Sequence, residues 1–195
     1  LDLIYAFISP HYFYQHAWAF KRIFESKARY HVDVGSFFYL ASSLSAVTRT
    51  TFIDIRPLRA NLNNLSSIKA NILSMPYKAN SLKSISCLHV IEHIGLGRYG
   101  DLIDPRGSKK AARELSRILG YGGNLFLSLP VGKPRLIFNA HRIHSTKQVL
   151  DYFYELKLLE LSGVDDEGNF FENIDRTILI LAIMVVVFFG FQKDK

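Results

Sequence analysis

The residues best suited to acid–base chemistry in this chain stand together in the segment HVIEH, over residues 89–93. A histidine exchanges protons near neutral pH, and a neighbouring carboxylate can orient its ring or hold a hydroxyl or amine of a substrate. We therefore interpret His89, Glu92 and His93 as candidate catalytic residues. The alternative is that they only hydrogen-bond their own loop to itself.

The same segment matches the His-x-x-Glu-His pattern of one class of zinc peptidases. That chemistry needs both histidines one turn apart on a helix, together with a third ligand. Here an apolar run that is typical of a strand ends directly before His89, and Gly95 and Gly97 interrupt any helix after it. The sequence therefore favours no metal at this position.

Two acidic residues and a glycine indicate a cofactor that contains adenosine. Asp33 ends an apolar run just before Gly35 and Ser36, and Asp54 ends the next apolar run. Nucleotide-binding α/β folds place a glycine turn and a ribose-binding acid about 20 residues apart, close to the spacing seen here. The backbone N–H groups of such a turn can bind an anion or a carboxylate. For Asp54 the alternative is a helix cap or a surface ion pair.

A third group of polar residues follows predicted strand ends and suits a substrate pocket, although structural salt bridges would give the same pattern. Its members are Arg98, Tyr99, Asp101, Asp104, His141 and Arg142.

Apolar runs alternate with helical patterns along most of the chain. The sequence predicts strands over residues 30–34, 50–55, 68–72, 84–88, 124–129 and 157–161. It predicts helices over 11–28, 39–47, 109–119 and 146–154, with Gly120 and Gly122 ending the third. This alternation requires crossover connections, so we expect an α/β fold with a doubly wound, mostly parallel sheet and helices on both faces. The long loop over 93–107 is of a length that is usually functional.

Composition narrows the class of protein. The chain is 49% hydrophobic and 21% charged, as in ordinary globular proteins. The net charge is +7, but no lysine or arginine block is long enough to indicate nucleic-acid binding. The single cysteine, Cys87, excludes an internal disulfide framework and fits a reducing compartment, so we expect a cytoplasmic protein.

The segment ILILAIMVVVFFGF, over residues 178–191, is unusually apolar. It is shorter than the ~18–20 residues that span a bilayer. We therefore expect a pair of strands buried in the sheet, with membrane association as the alternative.

Several segments resemble class I S-adenosylmethionine-dependent methyltransferases of the ubiquinone-biosynthesis type, which have a Rossmann-like fold. HVDVGS (31–36) resembles their first motif, FIDIRP (52–57) their second-strand acidic motif, and ARELSRILGYGGNLFLSLP (112–130) their helix, turn and fifth strand. More narrowly, HVDVGS, IDIRPL, CLHVIEHIGLGRYGDLIDPRG, NAHRI and DDEGNFFENI together resemble domain-of-unknown-function family 268, across residues 11–175.

The resemblance implies a site for S-adenosylmethionine. Asp33, Gly35 and Ser36 would face its methionine part, and Asp54 its ribose. Asn71 and Ile72 would flank adenine, His89 would lie beside the sulfonium, and Ile55 would be a further cofactor-binding residue. Two departures from the pattern concern the affinity for the cofactor. The first motif has one glycine where active enzymes often have two or three, and Asn71 stands where an aspartate is frequent.

The implied function is methyl transfer to a small polar acceptor, with a saccharide or a lipid-linked intermediate suggested by the family's association with surface-glycan genes. Two other functions stay open: a non-catalytic nucleotide-binding or interaction domain, and a nicotinamide-dependent oxidoreductase.

The resemblance divides the chain into three parts. These are an N-terminal helical segment packed on the sheet (1–29), the cofactor-binding domain (30–176) and an apolar C-terminal strand region (177–195). The family would be expected to end in a strand such as NYGCGIFWF. With suitable codons, residues 183–190 read in a shifted frame give Tyr-Gly-Cys-Gly-Ile-Phe-Trp, so we hypothesise that this end is a frame-shifted version of that strand.

Overall fold

The computed structural model describes residues 9–137, 140–174 and 184–194. Within these ranges the helices are α1 (Pro10–Glu25), α2 (Phe38–Leu44), α3 (Gly107–Ile118) and α4 (Thr146–Tyr152). The strands are β1 (Tyr30–Val34), β2 (Arg49–Asp54), β3 (Leu65–Lys69), β4 (Leu82–Leu88), β5 (Leu119–Gly132), β6 (Arg135–Ile137), β7 (His141–Ile143), β8 (Lys157–Val164), β9 (Phe170–Phe171) and β10 (Met184–Gln192).

One large sheet organises the molecule, in the order β3-β2-β1-β4-β5-β10-β8-β9. The pairs β2–β3, β1–β2, β1–β4 and β4–β5 are parallel. Strand β10 is antiparallel to both of its neighbours, β5 and β8, and β9 is antiparallel to β8. Strands β6 and β7 form a separate hairpin. The predicted α/β fold with a mostly parallel sheet is confirmed.

Both faces of the sheet are covered by helices, as predicted. Helices α3 and α4 pack on one face, where Ala112, Leu115 and Val149 join the larger core cluster. Helices α1 and α2 pack on the other, where Trp18 and Leu44 join the smaller one. Strands β1 and β4 are buried along nearly their whole length, as expected of strands covered on both faces, although each includes buried polar residues.

Helix α1 is fixed to the sheet by polar contacts as well as by apolar packing. Glu160 on β8 accepts hydrogen bonds from Trp18 Nε1 (2.9 Å) and from Arg22 Nε (2.6 Å) and Nη2 (3.0 Å). Burial raises the pKa of Glu160, but the hydrogen bonds from Arg22, Ser162 and Trp18 outweigh it and the net shift is downward. Glu160 is therefore a charged, fully bonded attachment point for this helix.

Several element bounds differ from the predictions. Helix α1 ends at Glu25, before the predicted residue 28, and β3 ends at Lys69, so that residues 70–72 lie beyond it. The glycines after α3 do not form a helix cap, because β5 begins at once at Leu119. A Cβ on Gly120 would lie 2.7 Å from the carbonyl oxygen of Asn80, so glycine is required there by close backbone contact.

The apolar segment near the end of the chain contributes one strand to the middle of the sheet. Among the described residues, 184–191 belong to strand β10, so the prediction of strand structure is confirmed there. Residues 178–183 lie outside the described residues. Among the described helices, none has the length and apolar character needed to cross a membrane.

Candidate functional site

The order of the sheet reverses between β1 and β4, and ligands bind parallel sheets at the carboxyl ends of the strands beside such a reversal. Two adjoining cavities, of about 480 and 460 Å³, lie at this edge. We call them the inner and the outer cavity, and together the cleft. Residues that line both are Gly35, Asp54, Arg56, His89, His93 and Tyr99.

A wider cavity of about 650 Å³ lies at the opposite edge of the sheet. Its lining includes Lys27, Arg29 and Arg49, together with Phe24 and Val47. It contains none of the residues that the sequence singles out. The cleft is therefore the candidate site.

The turn after β1 forms the floor of the cleft. Gly35 has φ +65°, a left-handed conformation that favours glycine. A Cβ at this position would lie 3.3 Å from both γ-carbons of Val90 and 3.7 Å from Asp54 Oδ2. The missing side chain thus keeps open a narrow space between Val90 and Asp54.

Asp33 supports this turn from behind. It is fully buried and does not line either cavity. Its Oδ1 accepts the Ser36 N–H (3.1 Å) and its Oδ2 accepts the Ser86 hydroxyl (2.6 Å). Burial raises the pKa of Asp33 to about 6, although the hydrogen bonds from Ser86 and Ser36 lower it. The resemblance places Asp33 against the methionine part of a cofactor, whereas the structure places it inside the sheet.

The hydrogen bonds continue into the sheet through His31. Its Nδ1 lies 2.7 Å from the Ser84 hydroxyl oxygen and its Nε2 lies 2.9 Å from that of Ser86. Since Ser86 donates to Asp33, it must accept from His31 Nε2–H, which fixes the neutral tautomer. Burial lowers the pKa of His31 to about 3, in keeping with a neutral ring.

Ser36 connects the turn to the neighbouring strand. Its Oγ accepts the N–H of Leu88 (3.1 Å), the last residue of β4. Ser36 lines the inner cavity but is almost fully buried. It therefore holds β1 and β4 together beside the floor of the cleft.

Asp54, the last residue of β2, presents its carboxylate to the cleft. Its Oδ1 accepts the backbone N–H of Arg56 (2.7 Å), and its Oδ2 is the oxygen near Gly35. The Asp54 side chain retains only 19% of its exposure. A carboxylate placed in this way beside a glycine turn can accept two hydroxyl hydrogens from a ribose.

Apolar and amide groups surround the outer cavity. Ile55, Ile72 and Asn71 line it, and the resemblance assigns Asn71 and Ile72 to the adenine end of the site. The Asn71 Oδ1 accepts the Leu73 N–H (2.9 Å), which shapes the turn after β3. The amide group nevertheless remains exposed at the cavity wall.

His89 stands where both cavities meet, in a left-handed conformation (φ +56°) that is unusual for a residue other than glycine. Its Nδ1 lies 2.8 Å from Glu92 Oε1, so Nδ1–H donates and Nε2 keeps its lone pair. That Nε2 is buried and has no hydrogen-bond partner among the described residues. The Tyr12 ring packs against the imidazole at 5.6 Å.

Glu92 is fully buried behind His89. Burial raises its pKa, but the His89 hydrogen bond and the nearby His89 and His93 charges lower it, and the net shift is downward. His93 Nε2 lies 3.9 Å from the same oxygen, and its Nδ1 donates to the Ala140 carbonyl (2.8 Å). Glu92 is thus an ionised carboxylate that orients His89, and it does not line the cleft.

His89 and His93 do not have the geometry of the zinc-peptidase pattern. His89 precedes a short 3-10 helix at Ile91–His93, so the two histidines are not on successive turns of one α-helix. No group of three or more metal-ligating side chains occurs among the described residues.

The polar loop residues divide into a part that faces the cleft and a part that holds the loop. Tyr99 lines both cavities, and Asp101 and Asp104 line the outer one. Asp101 also accepts the N–H groups of Gly95 and Leu96, and Asp104 pairs with Lys110 at 2.6 Å.

Arg142 lies away from the cavity walls and binds the loop. Its guanidinium donates to the carbonyl oxygens of Ile94 (2.5 Å), Gly95 (3.2 Å) and Asp104 (3.0 Å). Arg98 and His141 likewise line neither cavity. Arg98 donates to the Ala140 carbonyl, and the His141 ring lies 5.9 Å from that of His93.

The structure adds residues that the sequence did not single out. Tyr12 and Gln15, one turn apart on α1, line the inner cavity together with Phe37 and Phe38. Arg56 lines both cavities and stacks 5.2 Å from the Tyr99 ring centre. Two sequence features could have indicated these residues. Gln15 is a polar residue in an aromatic-rich helix, and Arg56 follows Asp54 by two positions.

The comparisons with known proteins identify a family and a fold. The sequence pattern of a family described as "Caenorhabditis protein of unknown function, DUF268" matches residues 31–170. The chain has no match among the curated proteins.

Solved structures share the fold at low identity. N-methyltransferase NodS from Bradyrhizobium japonicum WM9, in complex with S-adenosyl-L-homocysteine, is 15% identical over 93% of this chain and 87% of its own, with a TM-score of 0.63. The YcgJ protein from Bacillus subtilis is 11% identical over 94% and 100%, with a TM-score of 0.64. The [4+2]-cyclase SpnF is 13% identical over 92% and 79%, with a TM-score of 0.63. Identities this low establish the fold alone.

Proposed function

This chain belongs to the DUF268 family and has the Rossmann-like fold of class I methyltransferases, and from that premise we propose that it binds S-adenosylmethionine and transfers its methyl group to a small polar acceptor. The observation that carries the proposal is the meeting of Gly35, Asp54 and His89 at one cleft beside the reversal of strand order. Fold likeness alone would not suffice, because one fold hosts many activities.

The residues of the cleft fit the shape and polarity of this cofactor. Asp54 offers a carboxylate oxygen for the ribose hydroxyls, beside a space that a Cβ on Gly35 would fill. Ile55, Ile72 and Asn71 supply apolar walls and an amide for adenine. The turn at Gly35 and Ser36 would receive the methionine part, and Asp33 would act by holding that turn. The bound cofactor would supply an electrophilic methyl group.

His89 is the group we assign to proton removal from the acceptor. Its Nε2 lone pair is free to accept a proton because Nδ1–H is committed to Glu92. Ionised Glu92 would stabilise the imidazolium that results. His93, which lines both cavities, would help to orient the acceptor. Alignment of the acceptor within the cleft would provide most of the rate increase.

For the acceptor, we propose contact with the loop residues at the mouth of the cleft. Tyr99 and the carboxylates of Asp101 and Asp104 line it directly. Arg98, His141 and Arg142 would act through the position of the loop. A saccharide or a lipid-linked intermediate remains our proposal for the class of acceptor, and the cytoplasm our proposal for the location.

Calorimetry tests cofactor binding. We expect S-adenosylhomocysteine and S-adenosylmethionine to bind the wild-type chain, and Asp54→Ala to weaken binding by about 10- to 100-fold, because a charged hydrogen-bond partner contributes about 1.5–3 kcal/mol. Asp166→Ala, which removes an exposed acid outside the cleft, should leave affinity unchanged.

Two further results would distinguish methyl transfer from the other candidate functions. SpnF, with the same fold, is described as a [4+2]-cyclase, so binding without methyl transfer to any acceptor panel would indicate a different use of the cofactor site. Saturable NADH binding that requires Asp54, in the absence of S-adenosylhomocysteine binding, would indicate an oxidoreductase and contradict the proposal.

A further inference from the structure

Two aliphatic side chains beside the cleft are almost completely exposed. Leu102 is 89% exposed and Ile103 is 83% exposed, more than any other large hydrophobic side chain in residues 9–137, 140–174 and 184–194. We call these two residues the loop tip. Isolated exposed leucines are common, whereas contiguous exposed apolar surface is typical of interaction sites.

The backbone beneath the loop tip is fixed by several hydrogen bonds. Asp101 accepts the N–H groups of Gly95 and Leu96, and the Asp104 N–H donates to the Gly95 carbonyl (3.0 Å). Arg142 binds the Gly95 and Asp104 carbonyls from below. Exposure of the loop tip is therefore a property of the folded loop.

The exposed charged residues over positions 98–110 are all basic. Asp101 turns its carboxylate toward the backbone, and Asp104 is paired with Lys110. Arg98, Arg106 and Lys109 are exposed and lie within seven positions of the loop tip in the sequence. Aliphatic residues flanked by lysine and arginine are the combination that an anionic membrane surface binds, since acyl chains accept the first and head groups attract the second.

We propose that the loop tip and its neighbouring basic residues dock the mouth of the cleft on an anionic phospholipid surface. Leu102 also lines the outer cavity, so docking would place the cleft against the bilayer. An acceptor with its apolar part in the membrane could then present its polar end toward His89. This assignment of the acceptor rests on the proposed methyl transfer, whereas the docking itself does not.

Vesicle flotation of the purified full chain tests the docking without any cofactor. We expect the chain to float with phosphatidylcholine vesicles that contain phosphatidylglycerol, and not with phosphatidylcholine alone, and to be released by high salt. The double substitution Leu102→Ser and Ile103→Ser should reduce binding by about tenfold or more, since it removes most of the inserted apolar area.

A control variant removes the next most exposed large hydrophobic side chain among the described residues. Tyr154 is 76% exposed and lies just before β8, at the edge of the sheet opposite the cleft. Tyr154→Ser should float like the wild type. Equal loss of flotation in both variants would mean that binding is nonspecific hydrophobic adsorption, and it would overturn the proposal. Failure of the wild type to float would overturn it as well.

Two further measurements keep the outcomes distinct. One outcome is that the wild type fails to bind vesicles while the loop-tip variant differs from it in oligomeric state on size exclusion. In that case the loop tip contacts a second copy of the chain, and the membrane proposal is wrong. Calorimetry with S-adenosylhomocysteine in the absence of vesicles reports on the proposed function separately, so either proposal can fail without the other.

Discussion

Gly35 is the residue whose backbone and surroundings most directly define the cleft. Alanine there would be strained by the left-handed φ and would also place its Cβ against Val90. Gly122 provides a matched control, because it has a similar φ (+68°) with nothing within 4 Å of the added Cβ.

We expect Gly35→Ala and Gly122→Ala each to lower the free energy of unfolding by about 1–2 kcal/mol through backbone strain. Only Gly35→Ala should weaken S-adenosylhomocysteine binding in calorimetry. Equal affinities for the two variants would show that the space beside Gly35 is not used by the ligand.

Asp33 gives the stability a specific pH dependence. Its native pKa of about 6 lies above the ordinary aspartate value of 3.8, so the native state keeps this proton to higher pH than the unfolded state. Stability from this group is therefore greatest below pH ~4 and falls as the pH rises to about 6, by roughly 3 kcal/mol in all.

Asp33→Asn should remove that decline. The thermal unfolding midpoint of the variant should lack the fall between pH 4 and 7 that this group causes in the wild type. Asp151→Asn, at an exposed position, is the control and should retain the wild-type profile. A raised pKa at Asp33 would be contradicted if the unfolding midpoint of the wild type rose between pH 4 and 7 and the midpoints of both variants rose to the same extent.

Among the structural elements, the loop after the 3-10 helix depends on a residue far along the chain. Arg142 on β7 donates to carbonyls at both ends of the loop, and only a planar guanidinium can reach them together. The sequence placed Arg142 in a substrate pocket, because a structural guanidinium and a ligand-binding one look alike in sequence.

Arg142→Met should leave these carbonyls unsatisfied and lower the free energy of unfolding by about 2–3 kcal/mol, with Arg142→Lys intermediate. Hydrogen exchange should show lost protection over residues 95–104. Arg113→Met, on the exposed side of α3, should change neither. Retained protection in Arg142→Met would mean that Asp101 alone holds the loop.

Strands β1, β2 and β4 were predictable from the sequence because their ends are marked: β2 ends at Asp54, and Gly35 and His89 directly follow β1 and β4. The contribution of α1 to the cleft was not, because Tyr12 reaches His89 only when Glu160, far away in sequence, fixes the helix. Such long-range attachment leaves no local pattern.

For the molecule as a whole, the position of β10 bears on the frame-shift hypothesis. Residues 186–191 are buried between β5 and β8. The alternative reading would also supply a short apolar segment there, so the hypothesis stays a prediction. The nucleotide sequence tests it: a single-base shift should restore Tyr-Gly-Cys-Gly-Ile-Phe-Trp, and the hypothesis is wrong if none does.

The place of β10 also determines when this protein can fold. A strand synthesised late separates two strands synthesised earlier, so β5 and β8 wait on the ribosome with unsatisfied edges until residues 184–192 emerge. Open edges of this kind attract other extended chains. The nascent polypeptide thus passes through an aggregation-prone interval that lasts until β10 has paired with both strands.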